Sequence, residues 1–364
     1  LENWRPVVEC ARQEATLLAE ATGLSRYDAL VDRFGTELST SFGQNPSSEG
    51  EGRTKFNDLA TAAGFDRANR MTTGVYEMGS VMKALTVAMA IDSGRFNINS
   101  AIDARFPLQV GRHQVKDFHA QRRVLTLPEV FTYSSNIGTS RMAMALGDEH
   151  QRNFLRRLGQ FERVNTEIGP STAPLLPRRW ADITQATVSF GHGISVAPLQ
   201  AVMGTAALVN GGLLIQPTFL RRTPEQVQAA SRRVIRPETS VAMRFLMRLN
   251  AERGSGRRAD VEGYYVGGKT GTAEKVIGGR YAKDRLLNSF MAIFPSDQPR
   301  YLLLISLDEP RGIPETHGLA TAGFNAAPTA GRVIARAAPL LGVQPRFDMP
   351  PASQAIQVGY RSPR

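Results

Sequence analysis

Apolar positions change their spacing along the chain, and each change predicts a different element. Trp4, Val7, Val8, Ala11, Leu17 and Leu18 recur at helical spacing, which predicts an amphipathic helix ending near Gly23, with a second short helix through Phe34. Residues 40–55, TSFGQNPSSEGEGRTK, have no periodicity and are rich in Ser, Gly and polar residues, the composition of a linker. After them, apolar periodic segments alternate with Gly and Pro breaks. The predicted organisation is an N-terminal helical segment over 1–40, a linker over 41–68, one domain over 69–343 and a disordered tail over 344–364.

Strand signals become legible only late. Residues 263–277, 285–295 and 300–310 are β-rich runs separated by turn signals, including SDQP between the last two, and predict three sequential antiparallel strands. The run 326–342 predicts a helix lying on that sheet, and much of the earlier chain reads helical. The fold class is therefore α+β, a helical region packed against an antiparallel sheet. One predicted helix stands out. From Ser80 to Gly94 it is apolar nearly all round (Val81, Met82, Ala84, Leu85, Val87, Ala88, Met89, Ile91), the mark of a core helix, yet it carries Lys83.

Composition narrows the function classes. The 364 residues are 42% hydrophobic, enough for a proper core, with a net charge of +11. The arginines fall in scattered pairs (Arg122-Arg123, Arg156-Arg157, Arg178-Arg179, Arg232-Arg233) rather than in a block with interleaved aromatics, which argues for solvated faces and against a nucleic-acid partner. The single cysteine, Cys10, excludes an internal disulfide and a multi-cysteine metal site. The five histidines show neither HExxH nor paired ligand spacing, so neither a metal nor another cofactor is expected. No apolar run reaches the roughly 18–20 residues of a membrane span, and no signal peptide or anchor is legible.

Ser80 and Lys83 stand one turn apart on one helix face. Burial disfavours an ammonium, so a neutral Lys83 amine within reach of the Ser80 hydroxyl could take its proton, with the helix N-terminus adding positive potential. Alone, S-x-x-K is more readily read as a lysine snorkelling from a helix edge. Two further stretches bear on it. In TLPEVFTYSSNIGTSRMAMALG (126–147), Pro128 opens a short helix and YSSN interrupts it, placing Ser134, Ser135 and Asn136 at a polar corner before a second helix near Ile137. In VGGKTGTAEKV, Lys269, Thr270, Gly271 and Thr272 lie on the first legible strand, where glycines admit another backbone and an edge could dock an extended peptide.

S-x-x-K, S-x-N and K-T-G in this order are the signatures of penicillin-recognising serine enzymes. The blocks YEMGSVMKALTVAMAID, FTYSSNIGTS, FGHGISVAPLQ and VGGKTGTAEKV resemble those of class B penicillin-binding proteins, in particular the division-specific peptidoglycan D,D-transpeptidases. The resemblance implies a penicillin-binding transpeptidase (β-lactamase-like) fold. It implies that Ser80 attacks the penultimate D-Ala carbonyl of a stem peptide, with Lys83 as base and Ser134 and Lys269 relaying the proton. Asn136 would hold the substrate amide, Lys269, Thr270 and Thr272 would bind the terminal carboxylate beside Gly271, and the Ser80 and Thr272 amides would form the oxyanion hole. The implied partners are peptidoglycan stem peptides, donor and amine acceptor, β-lactam antibiotics and divisome membrane proteins, at the periplasmic face of the inner membrane.

Other residues are set aside. His192 is read as structural, and Met82, Met89, Met142 and Met144 as core fillers. Glu162 and Glu167 are not read as the deacylating carboxylate of a class A β-lactamase. The sequence departs from the family in one respect: nothing in residues 1–70 reads as the hairpin that supplies the usual first two strands, and residues 4–34 instead weakly resemble a helical stretch of M32-type carboxypeptidases. The function expected is septal cell-wall cross-linking through a serine acyl-enzyme. The alternatives are a D,D-carboxypeptidase or β-lactamase, or a non-catalytic penicillin-binding sensor or scaffold.

Overall fold

The computed structural model describes residues 69–167 and 170–357. The helices expected within 1–40, the linker over 41–68 and the place of the N-terminal hairpin all lie outside the described residues. The domain from Asn69 onward is built around one helix. Its Ser80–Gly94 stretch opens as a 3-10 turn, Gly79–Met82, and continues as α1, Lys83–Asp92. Every α1 residue from Lys83 to Ile91 is buried, as the all-round apolar pattern predicts. Each large apolar side chain held this way stabilises the fold by about 1.5–3 kcal/mol.

Around α1 stand α2 (Leu127–Thr132), α3 (Asn136–Leu146), α4 (Asp148–Arg157), α6 (Pro198–Val209) and α8 (Pro237–Arg253), while α5 (Asp182–Val188) packs against α3. Local chemistry sets the boundaries that matter. Thr126 and Glu129 form a reciprocal capping box and Pro128 occupies the first turn of α2. Ser135 caps α3 by accepting the Gly138 amide at 2.9 Å. The YSSN corner between these helices is therefore fixed by two adjacent caps.

The main sheet has the order β7-β8-β9, antiparallel throughout, from Gly267–Ile277, Arg280–Phe294 and Tyr301–Asp308. Lys269 pairs with Met291 and Phe290 with Ile305, so the register carries the K-T-G segment into the middle of the structure. The three late strands stand where the apolar runs predict them. The hairpin between the first two reaches further than expected, to a two-residue turn at Gly278-Gly279, because its polar outer half pairs without any apolar alternation.

Six short strands escape the sequence reading: β1 (Ala101–Asp103) with β4 (Val124–Thr126), β2 (Leu108–Val110) with β3 (His113–Val115), and β5 (Leu213–Ile215) with β6 (Ser231–Arg233). Three residues are too few to show a period. Besides α7 (Pro224–Ala229), the late helix forms as α9 (Ala326–Leu340), burying Ala326, Ala327, Ala330, Ile334 and Ala338 along one face. The expected disordered tail departs from that reading. Arg346 pairs with Asp297 at 3.0 Å, the Tyr265 hydroxyl donates to the Pro350 carbonyl, and α10 (Ala352–Gln357) packs on α8. Polar composition concealed a segment held by specific hydrogen bonds; residues 358–364 lie outside the described ones.

Candidate active site

The 3-10 turn that opens the central helix presents Ser80, half-buried, three residues before Lys83. Residues i and i+3 eclipse in such a turn, so the two side chains share a face as the spacing predicts. Lys83, however, reaches across to Ser134. Its Nζ donates to the Ser134 carbonyl and, at 3.0 Å, to Ser134 Oγ. From the other side Lys269 Nζ donates to the same Oγ at 2.9 Å and to the Thr270 carbonyl at 3.2 Å. One hydroxyl thus sits between two lysines. Both are fully buried, at 1% and 0% exposure, far from the usual place of a lysine.

This corner is braced from a direction that the motifs do not reveal. Ser134 adopts φ 58°, a left-handed conformation costly for a residue with a Cβ, and its amide bonds the Phe131 carbonyl. Asp117 then ties the next turn: Oδ2 accepts the Ser135 hydroxyl at 2.8 Å and Oδ1 the Ile137 amide at 2.9 Å. Asn136 opens α3 and donates from Nδ2 to the Lys116 carbonyl at 2.9 Å. Lys116 and Asp117 follow β3 in a polar loop, and no sequence pattern marks Asp117 as a support.

The glycine of K-T-G has a steric reason. A Cβ on Gly271 would stand 2.5 Å from the Met78 carbonyl and 2.8 Å from the Val81 side chain, so only glycine lets β7 lie against the Ser80 turn. Alternation along β7 sends Lys269 to Ser134 and the threonines to the other face. There Thr270 Oγ1 shares a 2.6 Å hydrogen bond with Ser255 Oγ, and Thr272 Oγ1 accepts the Ala322 amide at 3.0 Å. The structure joins Lys83, Ser134 and Lys269 by hydrogen bonds, with Asn136 two residues after Ser134 and the Ser80 turn packed against Gly271, while both threonine hydroxyls are engaged by protein partners.

Burial dominates the electrostatics. It pushes Lys83 well below the ordinary lysine range, the charge of Lys269 pushes the same way, and Asp117 opposes both. Lys269 is lowered by burial to about 7. Two ammonium groups on one oxygen, with no carboxylate directly bonded to either, favour loss of a proton from one of them. A neutral amine can accept from Ser134 or Ser80, and the hydroxyl between the lysines can both accept and donate. The arrangement is therefore a proton path beside a serine held at a helix start.

Residues set aside by the sequence take clear places. Met82, Met89 and Met142 are core residues. Glu167 is engaged by Thr218 and the Phe219 amide, and with Glu162 it lines a cavity of about 490 Å³ that includes none of the motif residues. His192 does adjoin the Ser80 turn: its Nδ1 stands 3.8 Å from Glu77, the neighbouring Gly191 presses on Gly79, and burial, then the charge of Lys83, lowers its pKa. Among the described residues no group of acidic, histidine or cysteine side chains is arranged to hold a metal.

Comparison with known proteins identifies the family and the fold. The family model described as penicillin binding protein transpeptidase domain matches residues 17–335. A probable peptidoglycan D,D-transpeptidase FtsI of Caulobacter vibrioides is 43% identical over 302 residues, covering 80% of this chain and 51% of that protein. The chain spans about half the length of the curated relatives it matches. The transpeptidase domain of Burkholderia pseudomallei penicillin-binding protein 3 superposes with a TM-score of 0.70 at 30% identity, covering 78% of this chain and 84% of that one. Penicillin-binding protein 3 of Mycobacterium tuberculosis, solved in complex with ampicillin, gives 0.69 at 26% identity over 78% and 67%.

Proposed function

The chain belongs to the penicillin-binding protein transpeptidase family, and on that footing we propose that it is a serine D,D-transpeptidase that cross-links peptidoglycan stem peptides. The observation that carries this reading is the pair of buried lysines on Ser134 beside Ser80. Ser80 Oγ attacks the penultimate D-Ala carbonyl while its proton passes to neutral Lys83, and the tetrahedral oxyanion is held by the Ser80 and Thr272 amides. Ser134 passes a proton to the departing terminal D-Ala amine, with Lys269 restoring it. Asn136 holds the substrate amide, and the β7 segment Lys269–Thr272 receives the extended peptide end and its carboxylate. An amine of a second stem then displaces Ser80 from the acyl-enzyme.

A β-lactam presents the same carbonyl and carboxylate, so it acylates Ser80 and stays. The setting is septal wall synthesis at the periplasmic face of the inner membrane, with divisome membrane proteins as neighbours. Among the described residues no helix is long and apolar enough to cross the membrane. Intact mass after incubation with penicillin, followed over time, tests the reading. The expected result is a persistent adduct mapping to Ser80. An adduct lost within seconds with turnover of the drug assigns a β-lactamase, and no adduct assigns a non-catalytic scaffold.

A further inference from the structure

Glu77 lies three residues before Ser80, and its side chain is only 11% exposed. Three groups from two segments converge on its carboxylate. The Gly193 amide donates to Oε1 at 2.7 Å, the Tyr281 hydroxyl donates to Oε1 and Oε2 at 3.0 and 3.1 Å, and His192 Nδ1 stands 3.8 Å from Oε2. No lysine or arginine pairs with it among the described residues. A buried carboxylate with neutral donors is a poor stabiliser, because desolvation is offset only by those hydrogen bonds. The cost points to a task.

The segments it joins flank the Ser80 turn. Gly191 at φ 89° presses on the turn so closely that a Cβ would stand 2.0 Å from the Gly79 carbonyl, immediately before Ser80. Tyr281 belongs to the outer half of β8, opposite Val276 of β7, beyond the K-T-G segment. The His192 ring lies between those of Phe190 and Tyr281, 5.5 Å from each.

We propose that Glu77 is a positioning residue for acylation: it clamps the Gly191–Gly193 loop and the β7–β8 hairpin onto the Ser80 turn, with neutral His192 as the member that protonation can pull out of place. This rests on the reading of Ser80 as the nucleophile. The groups packed against His192 are Glu77, Tyr281 and Phe190; the charge of Lys83 also acts on it, and Lys269 and Asp117 act in turn on Lys83. Burial, then the charge of Lys83, lowers the His192 pKa, so the imidazole is neutral near neutral pH. Burial pushes Glu77 up while Gly193 and Tyr281 pull it back. Once His192 is protonated, Oε2 is drawn to the imidazolium and away from the Tyr281 hydroxyl.

The test measures the second-order rate of acylation by a fluorescent penicillin across pH, with hydrogen–deuterium exchange over residues 190–194 and 275–285. Glu77→Ala is expected to lose about 30-fold in rate and to exchange faster in both segments, since small misplacement of reacting groups costs rate steeply. Glu77→Gln keeps an acceptor oxygen and is expected within about 5-fold of the parent, and Tyr281→Phe to lose about 3- to 10-fold. The acid limb is expected to be shallower in His192→Gln, which lacks one titrating group. An alanine variant within about 3-fold of the parent, or a glutamine variant no better than alanine, overturns the clamp. Parallel acid limbs overturn the part given to His192. If the parent itself takes no penicillin, the reading of Ser80 fails, and the clamp is then decided by exchange: unchanged protection in Glu77→Ala rejects it.

Discussion

Strand β7 carries two lysines six positions apart, and they live in opposite worlds. Lys269 is fully buried, bonds a serine hydroxyl and a backbone carbonyl, and has its pKa lowered to about 7 by burial. Lys275 is partly exposed and bonds Asp308 at 2.9 Å and Glu309 at 2.8 Å. Burial lowers its pKa too, but the hydrogen bonds it donates to Glu309 and Asp308 outweigh that and raise it overall. The difference lies in the absence of a carboxylate partner rather than in the strand. A lysine meant to hold a structure is given an anion; a lysine meant to exchange a proton is given a hydroxyl.

The comparison breaks most sharply at Lys83. Lys83→Ala is expected to lose about 10²–10⁴-fold in penicillin acylation, the usual worth of a positioned base, while the fold survives. Acylation equal to the parent would remove Lys83 from the reaction. Lys269→Met is expected to lose acylation and to gain stability, and the sign follows from linkage. A lysine lowered in the folded state is neutral there while the unfolded chain holds its proton. The penalty is therefore full below the folded value near 7 and disappears as pH rises toward the ordinary lysine value of 10.5. Removing it should stabilise the protein by roughly 2–4 kcal/mol below about pH 7 and by progressively less above, read by denaturant melts. Stability lower than the parent at every pH contradicts the account of Lys269.

Asp117→Asn is a finer cut. It keeps one acceptor oxygen, for the Ile137 amide, and turns its NH2 toward Ser135, while removing the charge that favours protonated Lys83, so the acid limb of acylation should move to lower pH, with a loss of about 10-fold or less in rate. An acid limb moving upward would show that the corner, and not the charge, is what Asp117 supplies. Lys275→Met gives the smallest effect: acylation within 2-fold and a stability loss of about 0.5–1 kcal/mol that fades with salt. A large loss of acylation there would erase the distinction between the two lysines.

Much of this site is legible in the sequence because its chemistry comes in short fixed spacings. An apolar helix with one lysine, a capped polar corner and a glycine beside a strand lysine each leave a local mark, and Lys83, Ser134 and Lys269 are joined by hydrogen bonds. What stayed hidden acts across the chain. Asp117 lies in a loop 17 residues before Ser134, and Glu77, though next to the motif, acts on Gly193 and Tyr281 more than a hundred residues away. Lys83 was expected to touch Ser80 and instead bonds Ser134, because the left-handed Ser134 turns both its carbonyl and its hydroxyl toward the helix. The short strands and the docked C-terminal segment have no period to betray them.

The central claim is that burial without an anion lowers both lysines on Ser134, Lys83 well below the ordinary range and Lys269 to about 7. Carbon-13 labelling of the lysine Cε positions, with assignment by Lys83→Ala, Lys269→Met and Lys275→Met, allows each side chain to be titrated by NMR. The account predicts a midpoint for Lys269 at about 7, one for Lys83 well below the ordinary range and one for Lys275 above it. Midpoints for Lys83 and Lys269 at or above the ordinary lysine value would contradict it.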